Sequence, residues 1–251
     1  MISLSEAGVR FGERWIFRRL DLTLAQGTCL ALLGPNGRGK TTLIKAALGS
    51  VRLSEGRRQA PPFVGYVPQA GSPGVPYRVL DVVVMGRARQ LGVFGSPGAA
   101  DYRLAREALR RVGLAAFAEH PFDRISGGER QLVLLARALA TGASTIVLDE
   151  PASALDLANQ NRFLSILASL RAEGTYAILF STHLPQHALH VADETMLMLP
   201  AEILRGPTAE VMTEQNLARL YGVAVRRVVV EDNGRMTEAV VPVFGQAHAQ
   251  S

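Results

Sequence analysis

The sequence predicts an α/β fold around a central, mostly parallel sheet, and three apolar runs carry that prediction. Cys29 to Leu33, Thr145 to Leu148 and Tyr176 to Phe180 are short and continuously apolar, as strands covered on both faces are. The second and third each follow a helical pattern, which is βα alternation. Before them, alternation at Leu20, Leu22 and Leu24 reads as a half-buried strand. Helices are expected over Thr41 to Leu48, closed by Gly49, over Tyr102 to Val112, closed by Gly113, and in the segment after Gly128. A fourth spans Asn159 to Ala172, with Phe163, Leu167 and Leu170 on one face. The segment Gln69 to Gly98 is rich in Gly and Pro before helical pattern resumes, so it reads as a flexible entry into an inserted helical subdomain. Beyond about Leu199 the chain alternates weakly at Val223 to Val230 and Ala239 to Val243, and no role for this tail is legible.

Composition narrows the class. The 251 residues are 48% hydrophobic and 20% charged, an ordered globular balance that excludes collagen-like, coiled-coil and disordered chains. The single Cys29 lies inside an apolar run, where a small buried residue is expected and a disulfide framework within the chain is impossible. The net charge of +5 is spread over scattered arginines rather than a basic block, so it does not announce a nucleic-acid surface. No apolar run approaches the length of a membrane span, and the first residues lack a basic stretch followed by an apolar one. The expected location is therefore cytoplasmic, with any membrane role supplied by a partner.

The residues Gly34, Pro35, Asn36, Gly37, Arg38, Gly39, Lys40, Thr41 and Thr42 match G-x-x-x-x-G-K-[ST] directly after the strand ending at Leu33 and at the start of a helix. Glycines let the backbone curl so that successive N–H groups face phosphate oxygens. The helix N-terminus adds its dipole, and Lys40 supplies a charge to the β- and γ-phosphates. Thr41 offers a hydroxyl to Mg²⁺. This is the core of a P-loop NTPase, with ATP and Mg²⁺ as its expected cofactors. At the end of another apolar strand, Asp149 and Glu150 precede Pro151, on the edge where open α/β sheets bind ligands. Asp149 suits the Mg²⁺ shell, and Glu150 suits orienting or deprotonating the attacking water.

Four further segments give the chain a family likeness. Ile125, Ser126, Gly127, Gly128, Glu129, Arg130 and Gln131 resemble the signature motif of ABC ATPases. Tyr66 to Gln69 resembles the Q-loop, Ser153 to Asp156 the D-loop, and Ser181 to His183 the switch-histidine segment, all in the family's order. Phe11 stands where the family keeps an aromatic that stacks on adenine. The resemblance implies a single ABC ATPase domain over 1–251, with an ATP-binding core in 1–70 and 145–251, a small antiparallel arm, and a helical signature subdomain in 71–144. It also implies that Glu150, His183, Lys40 and Gln69 serve catalysis and that Thr41, Gln69 and Asp149 surround the metal. Nucleotide contacts are implied for Phe11, for Gly34 to Thr42, for Ser126 to Glu129, and for Asp156. Ser126 is a plausible N-cap, and Gly127 and Gly128 expose backbone N–H groups to anions. In the family that helix end meets ATP held by a second copy, so a homodimer with two sandwiched ATP molecules is implied.

Two departures stand out. Glu129 occupies a position where the family most often has Gln, which adds negative charge near a phosphate site, and its side chain is expected to turn away. The interval from Lys40 to Gln69 is short, which suggests a trimmed arm. His120, His187, His190 and His248 receive no role, and Trp15, Tyr102 and Tyr221 read as packing or surface residues.

Val79 to Arg87, Ser153 to Gln160 and Thr213 to Gly222 further resemble the ATPases of metal-chelate importers, which handle ferric siderophores, haem, cobalamin or, in one branch, molybdate or tungstate. The Ala158-Asn159-Gln160 wording and short arm lean to the molybdate-like branch. An integral membrane permease and, indirectly, a periplasmic or extracellular binding protein are the implied partners, with no nucleic acid and a peripheral position on the inner face of the membrane. The absence of a fused membrane domain leans towards import. The alternative is a soluble ABC ATPase acting on nucleic acid or ribosomes, which shares every nucleotide motif but usually carries two cassettes or a long basic insertion.

Overall fold

The computed structural model describes residues 1–69, 76–92, 95–232 and 234–245. Parts of the expected flexible entry, at 70–75 and 93–94, and His248 lie outside the described residues.

The chain opens with two long strands, β1 (Ile2–Phe11) and β2 (Arg14–Leu24), followed by the buried β3 (Cys29–Leu33) and helix α1 (Lys40–Leu48). After β4 (Glu55–Gln59) and β5 (Gly65–Val67) comes a wholly helical stretch with α2 (Val79–Val84), α3 (Ala88–Leu91), α4 (Ala99–Arg111) and α5 (Gly127–Ala140). The chain then alternates through β6 (Thr145–Leu148), α6 (Leu157–Ala172), β7 (Ala177–Thr182), α7 (Pro185–Val191), β8 (Glu194–Met198) and β9 (Ile203–Pro207). It closes with α8 (Thr208–Val211), α9 (Glu214–Tyr221) and the hairpin β10 (Ala224–Asp232) and β11 (Arg235–Val243).

Six strands form the main sheet in the order β5-β6-β7-β3-β8-β9, parallel except for the antiparallel pair β8 and β9. A separate antiparallel sheet, β2-β1-β4, is the expected arm. Its shortness falls on β4, five residues against ten in β1 and eleven in β2.

Alternate residues of the central strands serve opposite faces, as strand geometry requires. Cys29, Ala31, Leu33, Ile146, Leu148, Ile178 and Phe180 share one core with α4, α5 and α6. Leu30, Leu32, Val147 and Leu179 share the other with α1 and the arm. Cys29 is fully buried beside these residues and its thiol is pushed up by desolvation, so it is an inert packing residue. Helix α5 lies so close to β5 that a Cβ on Gly65 would meet the Ala138 carbonyl oxygen at 2.7 Å.

Helix α6 begins two residues earlier than its apolar pattern indicates, because Asp156 caps it by accepting from the Asn159 N–H at 2.8 Å. The helical stretch also starts sooner than composition suggests, with Val79 to Val84 already buried in α2. Phe163 of α6 is fully buried against the sheet. Phe163→Ala is expected to cost about 3–5 kcal/mol, read as a lower urea midpoint with unchanged slope.

Candidate functional site

The parallel strands bring their C-terminal ends to one edge, and the predicted residues gather there. Leu33 of β3 pairs with Thr182 of β7, while Leu148 of β6 pairs with Phe180. The loops after Leu33, Leu148 and Thr182 therefore emerge side by side. Gly34 N–H donates to the Thr182 carbonyl at 3.3 Å, tying the first of these loops to the third.

The Gly34 to Gly39 loop folds back because two glycines adopt left-handed backbone, Gly37 at φ 80° and Gly39 at φ 92°. Gly39 has no room for a side chain: a Cβ would sit 2.4 Å from Ile16 Cγ2. It is the N-cap of α1 and, lacking a side chain, leaves the first N–H groups of that helix free of a capping bond. Beside Gly37 and Arg38, a cavity of about 630 Å³ is lined by Arg14, Trp15, Ile16 and Met198.

Lys40 is 4% exposed, and its ammonium uses three acceptors, the carbonyls of Gly34 at 2.7 Å and Pro35 at 3.1 Å and Glu150 Oε1 at 3.0 Å. Glu150 is equally enclosed, with Oε2 3.3 Å from His183 Nδ1. One carboxylate thus bridges the lysine and the switch histidine. Its backbone is left-handed at φ 45°, uncommon for a residue with a side chain. Ser181 Oγ accepts the Glu150 N–H at 2.8 Å and Ser153 Oγ donates to the Glu150 carbonyl at 3.0 Å, which together hold that conformation. Ser181 Oγ also donates to Asp149 Oδ1 at 2.7 Å, and Thr41 Oγ1 lies 3.2 Å from the same oxygen.

Lys40, Glu150 and His183 therefore form one chain of contacts and Thr41 and Asp149 another, with Ser181 joining the two. Thr41 and Asp149 present hard oxygens close together, the donor type Mg²⁺ takes when phosphates and water complete its shell. Among the described residues no group of three or more His, Cys, Asp or Glu is arranged as an all-protein metal cage. Gln69 is not drawn in: it is exposed just beyond β5, whose Val67 carbonyl accepts the Asp149 N–H at 2.9 Å. Phe11 is also exposed, at 56%, at the tip of the arm.

The signature segment stands apart from this cluster. Ser126 caps α5, accepting the Glu129 N–H at 3.2 Å, while Glu129 Oε2 accepts the Ser126 N–H at 2.7 Å. Glu129 therefore does not turn away: its carboxylate reaches back to the start of α5 and completes a capping box there. Arg130 secures the preceding turn through the carbonyls of Ile125 at 3.1 Å and Asp123 at 3.2 Å. Ser126 and Gly127 are exposed, and a Cβ on Gly127 would meet nothing within 4 Å. Gly128 instead faces α6, where a Cβ would strike Asn159 Oδ1 at 2.4 Å. The signature and the Asp156 cap therefore pack together.

Three residues given no role by the sequence pattern belong to this edge. Ser181 links both carboxylate-bearing positions, and only a small hydroxyl at the end of a buried strand hinted at it. Tyr221 donates from its hydroxyl to the His183 carbonyl at 2.8 Å, so it is more than a packing residue. His187 is buried against Thr182 and Gln160. Spacing along the chain reports none of these tertiary contacts.

The family model described as ABC transporter matches residues 17–153. The molybdate import ATP-binding protein MolC of Haemophilus influenzae is 40% identical over 209 residues, 83% of each chain. The manganese transport system ATP-binding protein MntB of Bacillus subtilis is 32% identical over 99% of each chain. Among solved structures, a metal-chelate type ABC transporter in an inward-facing conformation superposes with a TM-score of 0.91 at 35% identity, over 97% of both chains.

Hydrogen bonding to Ser126 holds the Glu129 carboxyl below its ordinary value. A depressed folded value means the box stabilises the protein above the ordinary carboxylate range, and the contribution is lost as pH falls through the depressed value. Glu129→Ala is expected to cost about 1 kcal/mol or less at neutral pH, since the group is only partly buried. The deficit in thermal midpoint should shrink towards zero as the wild-type carboxyl is protonated.

Proposed function

The chain belongs to the ABC transporter family and is an ATPase, and from that premise we propose that it powers import of a metal ion, metal chelate or metal oxyanion through a separate permease. The contact cluster of Lys40, Thr41, Asp149, Glu150 and His183 on one sheet edge is the observation that carries the hydrolytic part. The cargo class follows from the transport systems of the relatives, for molybdate, manganese and metal chelates. The same relatives favour transport over action on nucleic acid or ribosomes. Among the described residues no helix is long and apolar enough to cross a membrane, so the membrane path is assigned to the permease. A binding protein would meet that permease on the far side, and this subunit would sit peripherally on the cytoplasmic face.

In this reading the uncapped start of α1 and the Gly34 to Thr42 loop cradle the phosphates, and Phe11 stacks on adenine. Thr41 and Asp149 would hold Mg²⁺, and Gln69 would join them. Mg²⁺, when bound, offsets the charge of the phosphate oxygens. Phosphate oxygens compete with Glu150 for Lys40, which releases the Glu150 carboxylate to accept a proton from water, while His183 orients that carboxylate. Ser126, Gly127, Gly128, Glu129 and Asp156 form the edge that meets ATP on a second copy. The exposure of Ser126 and Gly127 supports this, a Cβ on Gly127 meeting nothing within 4 Å among the described residues.

ATPase rate per chain, measured in Mg²⁺ against protein concentration, tests the reading. The rate is expected to rise with concentration as dimers form. Glu150→Gln should lower kcat by about 10²–10⁴ while ATP binding persists, because the substitution leaves Lys40, Thr41 and Asp149 in place for the phosphates and Mg²⁺. A concentration-independent rate that survives the substitution would refute it.

A further inference from the structure

Between the strand leading to His183 and the helix that follows Asp156 runs a buried chain of hydrogen bonds that the hydrolytic residues do not use. His187 of α7 is 4% exposed. Its Nδ1 lies 3.1 Å from Thr182 Oγ1 and its Nε2 lies 3.2 Å from Gln160 Oε1. Gln160 Nε2 donates to the Leu155 carbonyl at 2.9 Å, which fixes the orientation of the amide and leaves Oε1 to face the imidazole as an acceptor. The proton of His187 is therefore on Nε2, and Nδ1 accepts from the Thr182 hydroxyl. Thr182 Oγ1 in turn accepts the Leu184 N–H at 3.0 Å. Burial, with smaller contributions from His183 and His190, pushes His187 down to about 4, so the neutral tautomer is the one present at neutral pH.

The ends of this chain are what make it informative. Leu155 precedes Asp156, the cap beside the signature segment, and Thr182 precedes His183, which touches Glu150. On its other side the His183 loop is fixed by Tyr221, whose hydroxyl donates to the His183 carbonyl. An apolar side chain at 187 and another at 160 would pack without needing any of these bonds. The polar pair instead must stay matched, because burying a polar group that has lost its partner is unfavourable, and His187 is buried while Gln160 is partly so. A fully satisfied buried network is rigid and holds the groups at its ends in register.

We propose that Gln160 and His187 are positioning residues for hydrolysis, forming a relay that locks the Thr182-His183 turn to the Leu155-Asp156 loop so that displacement of either is transmitted to the other. The proposal rests on the reading of Glu150 and His183 as the hydrolytic pair. With Asp156 on the edge facing a second copy, the relay conveys the docking of that copy to the histidine of the same chain. It carries no proton and touches no substrate; it sets where His183 stands relative to Glu150.

The test uses the full chain carrying His187→Leu, Gln160→Leu, both together, and His183→Ala as reference, with kcat from ATPase assays and ATP affinity from binding of a fluorescent ATP analogue. Each relay variant is expected to lose about tenfold in kcat, the scale of one lost buried hydrogen bond, with ATP affinity changed less than twofold. The double variant should lose no more than either single one, as members of one chain of bonds do. Nitrogen-15 imidazole spectra of the wild type should show His187 with its proton on Nε2. An unaltered kcat in folded Gln160→Leu, additive losses, or an Nδ1-protonated His187 would overturn the relay even where His183→Ala abolishes turnover. Undiminished kcat in His183→Ala would overturn the hydrolytic reading and the relay with it. Should His187→Leu fail to fold, Gln160→Leu and the tautomer decide the matter.

Discussion

The parallel pairing of β3, β6 and β7 is the constraint on which the rest of the site depends. Parallel strands run in one direction, so the loops after Leu33, Leu148 and Thr182 must leave from the same edge. Residues more than a hundred positions apart, such as Thr41 and Asp149, meet there without any long excursion of the chain. The register is fixed in turn by burial on both faces: a slip of one residue would exchange the side chains of the two cores, Cys29, Ala31 and Leu33 on one side for Leu30 and Leu32 on the other. Packing therefore sets the position of the edge that carries Lys40, Asp149, Glu150 and His183 to within one residue.

At that edge the protein concentrates charge it cannot leave unmatched. Lys40 and Glu150 are both nearly inaccessible, and a lone charge so placed would be costly, whereas a paired and hydrogen-bonded one is tolerated. Two backbone carbonyls and the imidazole of His183 complete the set of partners. The left-handed backbone of Glu150, held by Ser181 and Ser153, is strain of the sort that persists where surrounding bonds over-determine it. Ser181 accepts from the Glu150 N–H and donates to Asp149, so one hydroxyl orders both carboxylate-bearing positions.

What could be read from the sequence was what local physics writes into it. The central strands Cys29–Leu33 and Thr145–Leu148 coincide with continuous apolar runs, and α1 begins where the phosphate-loop motif ends. The start of α6 was legible only through its cap, because Leu157 is exposed and breaks the apolar stripe that marks the rest of the helix. Strands β8 and β9 escaped notice since their Met and mixed polar residues resemble no simple alternation, and β5 is only three residues long. In the site, Lys40, Thr41, Asp149, Glu150 and His183 were recognisable because their motifs each sit at the end of a strand. Ser181, His187 and Tyr221 were not, since their roles arise from neighbours 27 to 38 residues away, and no periodicity records them.

The capping box at Glu129 shows how one residue can serve stability and leave chemistry open. A glutamate at the third position of α5 reaches back to the Ser126 N–H, and the pair satisfies two donors that a helix start otherwise leaves bare. The carboxylate thereby lies at the start of α5, beside the Ser126 N–H. Gly127, with nothing near it, still offers backbone to an approaching anion. The phosphate loop reaches the same end by the opposite route, using Gly39 as a cap that has no side chain at all. On the proposed two-chain reading, ATP would lie between these two helix starts, α1 from one copy and α5 from the other. Each contributes its dipole; the cap of α1 carries no side chain, whereas that of α5 is closed by the Ser126–Glu129 box and leaves the exposed Gly127 beside it. That pairing accounts for why a helix start as well ordered as that of α5 is left on the surface.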